Sequence, residues 1–262
     1  MDKWLIVALV TLAVTGVLYV AVKPPAALRA ANDTFALAVA PSAVQLGEEV
    51  LVEAQARITL DERQALYHPL AVSVTGPGSY TEELVLAPGS TLDCSAYYCN
   101  GTFHGTYHNA YAEGVYTVAG TFNGRQAAAS LLVYGPETAA RVAVVQDIGA
   151  YHYDSFAAGR SLAYTLYTAS YTKGTEHATV FVYTFTTGAA AGEKLAASRR
   201  LSPSAFVPAR TANATVLYQQ GCCAWWVSGN ATLVVSSTPV MPVTGSPMEP
   251  IIAAYLERYP PS

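Results

Sequence analysis

Two thiols and two imidazoles fall within one stretch, Cys94-Ser-Ala-Tyr-Tyr-Cys99-Asn-Gly-Thr-Phe-His104-Gly-Thr-Tyr-His108. Thiolate sulfur and imidazole nitrogen are the donors of zinc and copper centres, so Cys94, Cys99, His104 and His108 form a candidate metal set. The competing chemistry is a Cys94–Cys99 disulfide that staples a loop and leaves two surface histidines. We expect the disulfide, because cysteines outside the cytoplasm usually pair. The other two cysteines, Cys222 and Cys223, are adjacent, and neighbouring residues in a strand point to opposite faces. At a turn led by Gln219-Gln220-Gly221 they could instead bond to each other. Four cysteines allow three connectivities. We expect 94–99 and 222–223, with cross-links between the two pairs as the alternative. Trp225 and Trp226 follow directly; both are expected to pack, with one exposed beside the turn as a binding anchor as the alternative.

Other catalytic patterns are missing from the sequence. It has no Gly-x-Ser-x-Gly elbow, no His-Glu-x-x-His, no Gly-rich phosphate loop and no calcium loop. Glu82, Glu83, Asp147 and Asp154 show no spacing that selects an acid/base pair, and His152 near Asp154 is a lone feature. The expectation is a protein that is not an enzyme and that needs no cofactor.

The elements that would position these residues are mostly strands. Residues 50–57 alternate strictly, with Val50, Val52, Ala54 and Ala56 on one face and Leu51, Glu53, Gln55 and Arg57 on the other. Further strands are predicted at 35–41, 70–75 and 81–87. The sharpest signal is a hairpin, 114–122 and 125–134, around Asn123-Gly124, a pair suited to the positive φ angles of a type I′ turn. Beyond it, strands are predicted at 141–148, 162–168, 177–186, 215–218, 224–227 and 231–236. A helix is predicted at 189–201, where Arg199 and Arg200 suit the C-terminal end of the dipole. A last helix reads from Ser246 as N-cap, Pro247 at the first position and Glu249 closing a capping box, with Ile251, Ile252, Tyr255, Leu256 and Tyr259 as its apolar stripe.

Residues 4–22 carry no charge. As a helix they span about 28 Å, the thickness of a bilayer's hydrocarbon core. We read them as a retained signal-anchor, with a cleaved signal peptide as the alternative. Lys23-Pro24-Pro25 starts a semi-rigid spacer. Four Asn-x-Ser/Thr sequons follow, at Asn32, Asn100, Asn213 and Asn230, and Asn230 sits at an expected hairpin tip. These features and the cysteines place the body outside the cytoplasm. Fourteen Lys and Arg stand against eighteen Asp and Glu, for a net charge of −4 with no basic cluster. That argues against nucleic acid or an anionic lipid surface as the main partner.

The resulting organisation is a transmembrane signal-anchor at 1–23, a linker at 24–32, a β-sandwich at 33–136 and an α+β domain at 137–262. That last domain is expected to hold an antiparallel sheet with two helices on one face. The fold class is mainly β. Pro41 with Leu46-Gly47-Glu48-Glu49-Val50, then Glu113-Gly114-Val115-Tyr116-Thr117-Val118, resembles the immunoglobulin-like modules of microbial surface proteins. The resemblance implies a spacer, adhesive or protein-contact role and carries no functional residues; the Cys…Trp…Cys core of antibody domains is absent. Trp226-Val-Ser-Gly-Asn230 with Ala254-Tyr-Leu-Glu-Arg-Tyr-Pro260 looks like the C-terminal part of membrane-tethered archaeal proteins. The cysteine–histidine stretch is distantly similar to the copper loops of cupredoxin-like domains, but its spacings are longer and no Met lies near it. The leading expectation is a membrane-anchored, extracytoplasmic protein that contacts another surface or membrane protein. A metal-binding electron-transfer subunit and a ligand sensor with a pocket near Cys222–Trp226 are the alternatives.

Overall fold

The computed structural model describes residues 33–108, 110–201, 206–211, 214–219, 222–238 and 249–262. The apolar run at 4–22, the linker, Asn32, Asn213, Ser246 and Pro247 lie outside the described residues. Among the described residues no helix is long and apolar enough to cross a membrane. The chain is mainly β, with antiparallel sheets. It divides into two compact units. The first comprises Met1–Ala40, Glu49–His108 and Tyr116–Ser130; the second comprises Pro41–Glu48, Asn109–Val115 and Leu131–Ser262.

The strands β1 (Thr34–Ala40), β2 (Ala43–Gln45), β3 (Val50–Thr59), β4 (Leu70–Thr75), β5 (Thr81–Pro88), β6 (Asp93–Cys94), β7 (Tyr98–Tyr107), β8 (Gly114–Phe122) and β9 (Arg125–Tyr134) run in the spatial order β1-β3-β7-β5-β4-β8-β9-β2. β6 pairs β7 off this path. β5 meets β7 at only two positions, Ala87↔His104 and Pro88↔Phe103. The path bends there, because β1 and β7 lay their rings against β8. Phe122 meets Phe35 at 5.9 Å and Phe103 at 5.5 Å, and Tyr107 meets Tyr116 at 6.1 Å. Two antiparallel layers therefore face each other in the first unit. The alternation of β3 positions its core: Val50, Val52, Ala54, Ala56 and Ile58 are buried, while Leu51, Gln55 and Arg57 are exposed. Asn123 and Gly124 have φ of 48° and 74°, the two positive angles that a type I′ turn demands.

The second unit holds a seven-stranded antiparallel sheet in the order β10-β11-β12-β16-β15-β14-β13. Its strands are β10 (His152–Arg160), β11 (Thr165–Lys173), β12 (Glu176–Thr184), β13 (Phe206–Thr211), β14 (Ala214–Gln219), β15 (Cys223–Ser228) and β16 (Ala231–Thr238). Among the described residues, three α-helices accompany them: α1 (Pro136–Val142), α2 (Gly188–Leu201) and α3 (Glu249–Arg258). The apolar stripe of α3, Ile251, Ile252, Tyr255 and Leu256, is buried in one cluster with Tyr171, Val180, Val182, Trp226 and Leu233. α2 lies on the opposite face. There the Thr232 hydroxyl donates to the Ala191 carbonyl at 2.8 Å, and the Lys194 ammonium sits 4.6 Å over the Tyr183 ring. Adjacent residues in β16 point to opposite sides, so Leu233 and Thr232 mark the two faces. The helices thus cover both faces, where the sequence suggested one.

The predicted strand at 141–148 is not formed. Arg141 and Val142 close α1, and the chain then runs irregularly up to an isolated bridge, Ile148↔Tyr151. The apolar run that suggested a strand finds other partners for its backbone. Arg258 donates to the carbonyls of Ala140, Arg141 and Ala143, and the Tyr259 hydroxyl donates to that of Val142 at 2.9 Å. The Val144 N–H donates to the Tyr255 hydroxyl at 3.2 Å, and the Tyr171 hydroxyl donates to the Val144 carbonyl at 2.7 Å. With these groups satisfied, a ladder is not required. At the other end of α1, Pro136 occupies the first turn and the Glu113 carboxylate accepts from the N–H groups of Glu137 at 3.0 Å and Thr138 at 2.7 Å. A carboxylate remote in sequence thus replaces the local side-chain cap.

Candidate functional site

The cysteine–histidine stretch folds into strand rather than loop. Cys94 on β6 faces Cys99 on β7 across an antiparallel pair, and the two are disulfide-bonded with Cα atoms 4.0 Å apart. Ser95 shapes the turn: its N–H donates to the Tyr98 carbonyl at 2.7 Å, and its hydroxyl accepts from the Tyr98 N–H at 3.1 Å. Cys99 is fully buried and Cys94 exposed. His104 and His108 lie further along the same extended run, beside carboxylates across the sheet. His104 Nδ1 is 3.5 Å from Glu53, and His108 Nδ1 is 3.0 Å from Glu49. At about 3.3 Å per residue, an extended chain sets Cys99 roughly 16 Å from His104 and roughly 30 Å from His108. The candidate metal set therefore does not converge, and the expected disulfide is formed instead. The disulfide also removes the thiolates that would have been its strongest ligands. Among the described residues no group of three or more His, Cys, Asp and Glu side chains is arranged to hold a metal ion.

Cys222 and Cys223 are bonded to each other, with Cys222 in the turn and Cys223 opening β15. The Cys222 N–H donates to the Gln219 carbonyl at 3.1 Å. Trp226 is only 2% exposed, and its indole N–H donates to the Tyr259 carbonyl at 2.8 Å. It ties β15 to the end of α3 and offers no surface to a partner. Trp225 is half-buried on the other face, opposite Leu217 and Val234 in the register.

Of the two described sequons, Asn100 is exposed on β7, with its amide 3.4 Å from the Asp93 carboxylate. Asn230 stands at the β15–β16 turn, where Gly229 has φ of 54°. Its amide donates to the Phe185 carbonyl at 2.7 Å. N-glycosylation leaves one amide hydrogen, so that bond and a glycan are compatible.

The second unit also contains a groove that the sequence did not indicate. It encloses about 480 Å³ and is lined by Gln45, Tyr134, Val145, Tyr153, Asp154 and Phe156, among others. The register of β10 against β11 shifts between Tyr153 and Ser155, leaving Asp154 in a β-bulge. The bulge interrupts the alternation, so Tyr153 and Phe156 are both half-buried while Asp154 and Ser155 between them are both exposed, and all four border the groove. Asp147 fixes the approach to the bulge: its carboxylate lies 2.9 Å from His152 Nδ1 and accepts from the Tyr153 N–H at 3.0 Å. These two hydrogen bonds, with His152 the larger contributor, hold the Asp147 carboxyl below its usual range. Asp154 was visible in the sequence only as one unremarkable carboxylate. Register shifts arise from pairing between strands, and no residue type announces one.

No protein-family model and no curated protein matches the chain. Among solved structures, the sporulation control protein Spo0M from Bacillus subtilis is similar at 8% identity and a TM-score of 0.22, covering 58% of this chain and 79% of its own. At that TM-score neither fold nor function transfers.

Proposed function

We propose that this chain is a membrane-anchored, extracytoplasmic surface protein with a binding or structural role, built from an immunoglobulin-like module and an α+β domain. The observation that carries the reading is the local pairing of all four cysteines, Cys94 with Cys99 and Cys222 with Cys223. Structural disulfides persist in oxidising compartments and are rare in the cytosol. The uncharged run at 4–22 supplies the tether, and the exposed Asn100 and Asn230 are available to glycosylation. The strand order supports the immunoglobulin-like reading. β1-β3-β7 against β5-β4-β8-β9 has the order of an immunoglobulin sandwich with an added edge strand, and β2 runs parallel to β9.

Cell fractionation tests the reading. The protein should stay in the membrane pellet after alkaline extraction, and protease added to intact cells should remove its body. Recovery in the soluble cytosolic fraction, or protection from external protease until cells are lysed, would contradict it.

A further inference from the structure

Among the described residues, the groove on the second unit combines three aromatic residues with one carboxylate and no basic side chain. Tyr134, Tyr153 and Phe156 line it, and Tyr134 and Phe156 meet edge to face at 6.0 Å. Phe156 stacks on Tyr167 at 5.9 Å, and Tyr153 packs against Tyr171 at 5.9 Å. The rings are therefore held from behind by the core and are not free to collapse into the groove. Asp154 is exposed at the bulge, and among the described residues no Lys or Arg lines the groove. Pro136, Ala139 and Val145 complete an apolar wall. The Asp154 charge also reaches the ring beside it: burial first, and then Asp154, push the Tyr153 hydroxyl's pKa up.

We propose that this groove binds an organic cation, an alkylated ammonium group of the choline or methyl-lysine kind. The ring faces would meet the methyl-bearing charge, and Asp154 would balance it. Aromatic faces present negative potential, and quaternary ammonium groups exploit this because their methyl groups forbid the strong hydration of a bare ammonium. An anion has no counter-charge here. A neutral sugar would stack on the rings but would gain nothing from an unpaired carboxylate. The proposal does not depend on the membrane anchor, so failure of either reading leaves the other standing.

The test is a titration of the full-length chain in detergent micelles with choline, followed by the proton resonance of its methyl groups. Enclosure by rings moves that resonance upfield, so a saturable upfield shift is expected. Asp154→Asn should weaken binding about tenfold, the scale of a desolvated cation–π contact with its counter-ion. Phe156→Leu should reduce the upfield shift itself. The uncharged carbon isostere dimethylbutanol should bind at least about tenfold more weakly than choline. No saturable shift, equal affinity in Asp154→Asn with an unchanged circular dichroism spectrum, or equal binding of dimethylbutanol or methyl glucoside would overturn the proposal.

Discussion

The carboxyls of Glu113 and Asp33 are shifted in opposite directions within one chain. At Glu113 burial pushes the carboxyl up, but hydrogen bonds from the Thr138 side chain and from the N–H groups of Thr138, Glu137 and Gly135 together outweigh it, and its pKa is lowered. A folded pKa below the unfolded one contributes stability above the ordinary carboxylate range, and that stability is lost as pH falls through the folded value. Glu113→Gln should therefore cost about 1 kcal/mol near neutral pH, the usual worth of a helix cap. Urea midpoints should show the gap between the two proteins closing in acid. At Asp33 burial, then the neighbouring Glu62 charge, raise the pKa. Its stabilising contribution is present at low pH and lost as pH rises through the folded value. Asn123 donates to both carboxylates, at 3.2 Å to Asp33 and 2.8 Å to Glu62, which moderates the repulsion. Asp33→Asn should thus leave the neutral-pH midpoint unchanged or raise it; a clear fall would contradict the assignment. The Cys94–Cys99 link closes a short loop, and replacing both cysteines by serine should lower stability by about 2 kcal/mol, read from denaturant unfolding. The residue chemistry was partly legible in the sequence. The disulfide pairs were expected there. The metal set was not excluded by composition, because fifteen residues look compact on paper and only an extended backbone separates them.

At the scale of elements, alternation and turn chemistry were the reliable signals. β3, β4, β8 and β9 formed where period-two patterns and Asn123-Gly124 placed them, since alternation is written within each strand and the turn within its own two residues. Gly124→Ala should cost about 1 kcal/mol, because φ of 74° is unfavourable with a side chain. Residues 141–148 show the limit of such signals. The apolar side chains of this segment do pack, with Val142, Ala143 and Ile148 in the buried cluster, but long-range donors serve its backbone. Arg258 lies 115 positions or more from the carbonyls it holds, a separation that no window along the chain can register. Arg258→Ala should leave three carbonyls without that donor and destabilise the second unit by about 1–3 kcal/mol. Hydrogen exchange would show whether the loss is local, with faster exchange in α1 and at Val144. The β10 bulge was equally hidden, as pairing with β11 creates it. The groove it builds was therefore not legible in the sequence, although its tyrosines were.

For the whole molecule, three features of different origin converge. A low content of charged residues, 12%, and eighteen tyrosines suit sheets that bury ring bodies and leave hydroxyls to hydrogen bonds. Tyr171, Tyr255 and Tyr259 do this in the second unit. An uncharged N-terminal run and four sequons fit a route out of the cytoplasm, and four cysteines paired locally fit an oxidising destination. The extracytoplasmic reading stands or falls with the pairing, because a cytosolic protein would keep these thiols reduced. Intact-mass spectrometry of the native full-length protein, before and after reduction and with peptide mapping of the bridges, addresses it without intermediaries. The mass should rise by about four units on reduction, with Cys94 linked to Cys99 and Cys222 to Cys223. An unchanged mass, with all four thiols alkylated before any reductant is added, would refute the oxidising address.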